Sequence, residues 1–155
     1  VEKGADVNRA RKDGRTPAFI AAKNGHLEVL RLLVEKGNAD VNQATNNGST
    51  PALIASHGGH LDVHGWTPAL IAAQQGHLEV LRLLVEKGNA DVNQAIEDGA
   101  TLVFVAAQVG HLEVLRLLVE KGADVNQARN NGATPALVAA HEGHLEVLRL
   151  LVEKG

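Results

Sequence analysis

Gly25-His26-Leu27-Glu28-Val29-Leu30-Arg31-Leu32-Leu33-Val34-Glu35-Lys36-Gly37 decides the fold, because the same thirteen residues return unchanged at Gly76–Gly88, Gly110–Gly122 and Gly143–Gly155. A fifth copy opens at Gly59-His60-Leu61-Asp62-Val63 and breaks off. Within the phrase, Leu27, Leu30, Leu33 and Val34 fall at helical spacing on one face, widened by Val29 and Leu32. Glu28, Arg31 and Glu35 lie opposite, spaced to pair at three and four residues. The phrase reads as an amphipathic helix. Glu28 suits the positive end of the helix dipole, and Lys36 and Gly37 supply a closing cation and a residue that accepts left-handed backbone.

Upstream of the phrase stands a second, different helix. Thr16 offers a side-chain oxygen as N-cap, and Pro17 occupies the first helical position, where a missing N–H costs nothing. Ala18, Phe19, Ile20, Ala21 and Ala22 follow, mostly small residues that let neighbouring helices approach closely. Gly25 ends this helix and His26 opens the next. Downstream comes Ala39-Asp40-Val41-Asn42 and then Asn47-Gly48, matched by Asp13-Gly14, Asp98-Gly99 and Asn131-Gly132. Such dipeptides accept the positive φ angles of a tight turn, which predicts finger-like hairpins between helix pairs.

The repeat histidines His26, His60, His77, His111 and His144 are separated by 34, 17, 34 and 33 residues, and Thr16, Thr50, Thr67, Thr101 and Thr134 give the same series. A period of 33 to 34 residues is the signature of a helical solenoid. The one-residue difference is an asparagine, Asn38 or Asn89, placed in a connection where insertion is cheap.

Thr-Pro, Ala-Ala, Gly-His-Leu-Glu-Val, Leu-Leu and Gly-Ala-Asp-Val-Asn at this spacing closely resemble the ankyrin repeat over nearly the whole chain. The resemblance implies a mainly α fold: L-shaped helix–turn–helix units with β-hairpin loops, stacked into a curved solenoid. It also implies a non-catalytic scaffold that binds a protein or peptide on the concave side, through hairpin tips and first helices. The expected division is a partial unit at 1–12, then units 13–46, 47–63, 64–97, 98–130 and 131–155.

Three departures qualify the resemblance. The family's Thr-Pro-Leu-His becomes Thr-Pro-Ala-Phe or Thr-Pro-Ala-Leu, which exchanges a hydrogen-bonding residue for an apolar one. Thr101-Leu102-Val103-Phe104-Val105 lacks the proline and adds β-branched residues, so its helix is locally the least favoured. Aligned on its neighbours, His64 stands where Asn47 stands, and the equivalents of Leu30 through Asn46 are absent after Val63. Either the unit 47–63 is truly shortened, leaving a first helix unpartnered and an aliphatic flank open, or 16 or 17 further residues belong there. The cost of the first favours the second. The chain also begins Val1-Glu2-Lys3-Gly4 and ends with the same four residues, without methionine, which reads as a chain cut or processed at both ends.

Fifteen basic and eighteen acidic residues give a net charge of −3, no footprint for nucleic acid or an anionic membrane. The absence of cysteine excludes disulfides, thiolate nucleophiles and cysteine-ligated zinc. No apolar run approaches the roughly 18 residues of a transmembrane helix and no signal-peptide pattern opens the chain, so an intracellular, cytoplasmic protein is expected. His57-x-x-His60-x-x-x-His64 has zinc-like spacing, but His60 belongs to the framework and His57 to a variable position. Asn47-Gly48-Ser49 matches a glycosylation sequon and reads better as a bare hairpin tip. No serine, threonine or histidine set presents a nucleophile with its own base and orienting acid, so neither catalysis nor a cofactor is expected.

Recognition is expected where residues vary over the constant frame. In the hairpins these are Arg11, Lys12 and Arg15; Thr45, Asn46 and Ser49; Trp66; Ile96, Glu97 and Ala100; and Arg129, Asn130 and Ala133. At first-helix ends they are Lys23 and Asn24, His57, Gln74 and Gln75, Gln108 and Val109, and His141 and Glu142. Trp66, the single tryptophan, is the expected exposed anchor, with Ile96 and Val109 extending an apolar centre and the first unit locally basic. A structural or engineered scaffold without a dedicated partner, and the targeting segment of a larger enzyme, stay open as alternatives. Bare terminal units predict end-to-end self-association or fraying.

Overall fold

The structure is a computed structural model that describes residues 4–46 and 65–155. Its helices are α1 (Pro17–Lys23), α2 (Leu27–Glu35), α3 (Pro68–Gln75), α4 (Leu78–Glu86), α5 (Leu102–Val109), α6 (Leu112–Glu120), α7 (Pro135–Glu142) and α8 (Leu145–Lys154). They alternate as the repeat predicts. The threonine caps form in every described unit: the hydroxyl oxygens of Thr16, Thr67, Thr101 and Thr134 accept from the backbone N–H three residues on, at 3.1 to 3.3 Å. Each such cap is worth about 1 kcal/mol.

First helices pack on first helices and second on second, so α1, α3, α5 and α7 form one row and α2, α4, α6 and α8 another. The rows share a single core in which Leu30, Leu81 and Leu115, the same position of the phrase, are completely buried. The chain from Leu102 to Ala107 is also buried. Its weak local propensity is therefore outweighed by burial of six consecutive residues between α3 and α7, the usual relation of tertiary packing to propensity.

Polar groups repeat with the same period. The aspartates of Asp-Val-Asn accept from the asparagine N–H two residues later, at 3.1 Å in the Asp6–Asn8 pair and 2.9 Å in Asp124–Asn126. Each asparagine Oδ1 then accepts from the next unit's aspartate N–H: Asp40 to Asn8 at 2.7 Å, Asp91 to Asn42 at 3.2 Å, Asp124 to Asn93 at 2.8 Å. The connections are thus tied across units by side chain to backbone. The extra asparagines have a role of their own, since Asn38 and Asn89 take the left-handed conformation, at φ 52° and 53°, that Gly122 takes where no asparagine is inserted. Gly37 and Gly88 are not the left-handed residues there.

The hairpins are three-residue loops and not two-residue primed turns. Gly14, Gly99 and Gly132 are left-handed, but the preceding Asp13, Asp98 and Asn131 are not. Their side-chain oxygens instead accept from the N–H two residues on, at 2.9 to 3.1 Å, the turn these residues make with their own backbone. Two backbone bonds close each finger, as in Arg11 N–H to Arg15 and Gly14 N–H to Arg11, and no strand is assigned among the described residues.

The same two bonds reappear where the repeat is interrupted. Thr45 N–H donates to Trp66 at 2.9 Å and Gly65 N–H donates to Thr45 at 3.0 Å, so Thr45, Gly65 and Trp66 stand where Arg11, Gly14 and Arg15 stand. Val63 and His64 lie outside the described residues, but α1 rests directly on α3 and α2 on α4. Thr45 and Trp66 thus close a finger, and the described helices on either side of it are in direct contact.

Candidate partner-binding surface

The framework histidines join units, and so position the surface residues beside them. The Nε2 of His77 lies 3.1 Å from the Lys23 carbonyl, that of His111 2.9 Å from the Gln74 carbonyl, and that of His144 3.1 Å from the Gln108 carbonyl. A carbonyl only accepts, so the proton sits on Nε2. Each ring also covers the glycine of the preceding unit: a Cβ on Gly76 would meet the His111 ring at 2.8 Å, and one on Gly110 the His144 ring at 2.6 Å. The Gly-His pair therefore carries two loads, the left-handed turn within one unit and the seat for the next unit's ring. It also fixes the C-terminal ends of the first helices, where the expected recognition residues lie.

At those ends Asn24, Gln75, His141 and Glu142 are exposed, and Lys23, Gln74, Gln108 and Val109 are half-buried. His141 Nδ1 and Glu142 Oε1 are 3.0 Å apart. At the hairpins Arg11, Lys12, Asn46, Glu97 and Asn130 are exposed. Asn130 ties its finger to the previous one, donating from its backbone to the Asp98 carbonyl and from its amide to the Glu97 carbonyl, both at 2.9 Å. Ser49 and His57 lie outside the described residues, as does the whole His57-His60-His64 set.

Four expected contact residues are not at the surface. Trp66 is 0% exposed, and Thr45, Ile96 and Ala100 are also buried. Thr45 and Trp66, like Ile96 and Ala100, are the two closing positions of a finger that lies between neighbouring units, whereas Arg11, at the same position of the first finger, is exposed. Arg15 lies over the Phe19 ring at 5.9 Å with its Nε 3.6 Å from Asp13, and Arg129 lies over the Phe104 ring at 5.1 Å, paired with Asp98. Ala133, at another closing position, is half-buried. Trp66 is thus core, joined with Leu70 and Ile71, and no apolar anchor is centred on it.

One residue belongs with the first unit's basic group and escaped the sequence reading. Arg9 is exposed and, with Arg11 and Arg15, rims an apolar groove of about 380 Å³ floored by Pro17, Ile20, Val29 and Leu33. The available signal was an arginine at the position where the other units carry Gln43, Gln94 and Gln127. Arg9, Arg11, Lys12 and Lys23 belong to the first unit, whereas the same surface carries Gln74, Gln75 and Glu97 in the middle and Arg129 and Glu142 in the last unit.

Among the described residues, one ion pair crosses the second-helix row. Lys121 Nζ lies 2.8 Å from Glu86 Oε1, and that hydrogen bond holds the Glu86 carboxyl below, and the Lys121 ammonium above, their ordinary values. No helix among the described residues is long and apolar enough to cross a membrane.

A family model described as ankyrin repeats (3 copies) matches residues 1–64 and 70–155. No curated protein matches the chain.

Proposed function

Because the chain belongs to the ankyrin-repeat family, whose members are generally protein–protein interaction modules, we propose that it is a non-catalytic scaffold binding a protein or peptide across its fingers and first-helix ends. The observation that carries this reading is the division of variability. The buried leucines, caps and Gly-His joints are constant, whereas the exposed positions differ from unit to unit: Lys12, Asn46 and Glu97 on the fingers, and Asn24, Gln75 and Glu142 on the helix ends. A surface that varies on a rigid frame supports selectivity without cost to folding. Arg9, Arg11, Lys12 and Lys23 favour a partner that presents an acidic stretch to the first unit.

Selection of displayed peptides on the immobilised chain tests this. Binders should be enriched in Asp and Glu, lose affinity to a Lys12→Glu, Lys23→Glu double variant, and be indifferent to Arg116→Glu on α6. Binders equally sensitive to Arg116→Glu, or no enrichment at all, would sink the reading. The unbroken identity of four second helices favours a second reading, a structural scaffold with no dedicated partner, and that is the reading an empty selection would leave standing.

A further inference from the structure

Three Asn-Gly pairs occur in the chain: Asn24-Gly25, Asn47-Gly48 and Asn131-Gly132. A glycine after asparagine leaves its own backbone nitrogen unshielded, because no Cβ stands beside it, and so able to reach the asparagine Cγ. Asn47 and Gly48 lie outside the described residues. Asn24 and Asn131 are both exposed, but their surroundings differ. At the finger tip the Gly132 N–H donates to the Arg129 carbonyl at 2.8 Å, and Asn131 Oδ1 accepts from the Ala133 N–H at 3.0 Å, so nucleophile and carboxamide are both held. After α1 the Asn24 carboxamide has no hydrogen-bond partner among the described residues. The Gly25 N–H reaches the Ala22 carbonyl only at 3.3 Å, beyond the usual range for such a bond.

This openness belongs to the position and not to the unit. Gln75 stands where Asn24 stands, on a helix packed between α1 and α5, and is exposed as well. Asn24 is also the C-cap of α1, at φ −92° and ψ 1°. Turning its ψ angle to bring the Gly25 nitrogen to Cγ gives up the long Gly25–Ala22 bond, whereas the same turn at Asn131 must break two closer ones.

We infer that Asn24 is a site of spontaneous deamidation, converted by attack of the Gly25 nitrogen. That nitrogen gives up its proton and bonds to Cγ, the Cγ–Nδ2 bond breaks, and ammonia leaves with the proton, closing a succinimide. Water then opens the ring at Cγ, giving aspartate, or at the main-chain carbonyl, giving isoaspartate with one more methylene in the backbone. The two products load the joint differently. A carboxylate already stands at this position in Glu142, followed by Gly143, which is left-handed as Gly25 is. Isoaspartate instead lengthens the main chain immediately before Gly25, where a Cβ would meet the His77 ring at 3.0 Å, and immediately after Lys23, whose carbonyl lies 3.1 Å from His77 Nε2. It therefore disturbs both contacts that seat His77 against the end of α1.

Peptide mapping by mass spectrometry, on the folded chain incubated at mildly alkaline pH, provides the test. Asn24 should convert to the acid well before Asn131, and both aspartate and isoaspartate should appear at position 24. In denaturing guanidinium chloride the two sites should convert alike, since both precede glycine and only the fold separates them. The chain carrying isoaspartate at position 24, separated chromatographically, should unfold at lower denaturant than an Asn24→Asp variant. Conversion of Asn131 first, an unmodified Asn24, a preference for Asn24 that persists in denaturant, or an isoaspartate form as stable as Asn24→Asp would each overturn the proposal.

Discussion

Gly110→Ala and Gly143→Ala separate the two loads placed on the Gly-His joint. Both glycines are left-handed, at φ 79° and 77°, so both substitutions carry the cost of left-handed backbone for an alanine, about 1–2 kcal/mol. Their surroundings differ. A Cβ at position 110 would lie 2.6 Å from the His144 ring, whereas one at 143 meets nothing within 4 Å. The ring must therefore leave its seat in the first variant only. Losing its bond to the Gln108 carbonyl costs roughly 0.5–1.5 kcal/mol. Forcing a methyl into a closed contact adds roughly 1–3 kcal/mol. Gly143→Ala is expected to cost about 1–2 kcal/mol and Gly110→Ala at least about 1.5 kcal/mol more. Urea denaturation followed by far-ultraviolet circular dichroism measures both. In a His144→Ala background the excess should vanish, which a double-mutant cycle reads directly. If the two glycine variants differ by less than about 0.5 kcal/mol, or the excess survives without the His144 ring, the joint is not the inter-unit contact described.

Deleting residues 47–63 leaves two residues between Thr45 and Gly65 in place of nineteen, the number that separates Arg11 from Gly14. Loop-closure entropy then favours the shortened chain by about 1–2 kcal/mol, and an unfolding free energy that falls by more than about 1 kcal/mol instead would show that those residues belong to the stack. Trp66→Ala should destabilise the fold by about 3–5 kcal/mol. Partner affinity measured on the folded fraction should change little, and a loss of affinity without a loss of stability would return Trp66 to the surface. The Glu86–Lys121 pair should shape the acid limb of stability. The Glu86 contribution is present above the ordinary carboxylate pKa and is lost as pH falls through the lowered folded value, while that of Lys121 is lost only as pH rises through its raised value. Nuclear magnetic resonance titration of Lys121→Met should return Glu86 toward the ordinary range, and an unmoved Glu86 would show that the hydrogen bond is not the cause.

The sequence by itself determined the solenoid, because the same thirteen residues with an aliphatic face, a preceding threonine cap and a closing glycine specify each helix pair locally and forbid it to stand alone. It also determined which positions vary. It did not show that Asp-Val-Asn and Gly-His are ties between units, since the partners of Asn42 and His77 lie 49 and 54 residues away. Nor did it show which variable positions are open to a partner. Trp66 looked like an anchor because tryptophan replaced arginine, serine and alanine, but whether a finger side chain is open depends on its place in the finger and on the units packed beside it. At the interruption only the fold could choose Gly65 and Trp66 as the partners of Thr45. Local pattern fixes the units and their order; the burial of one unit's face by the next decides what is surface, and therefore what can bind.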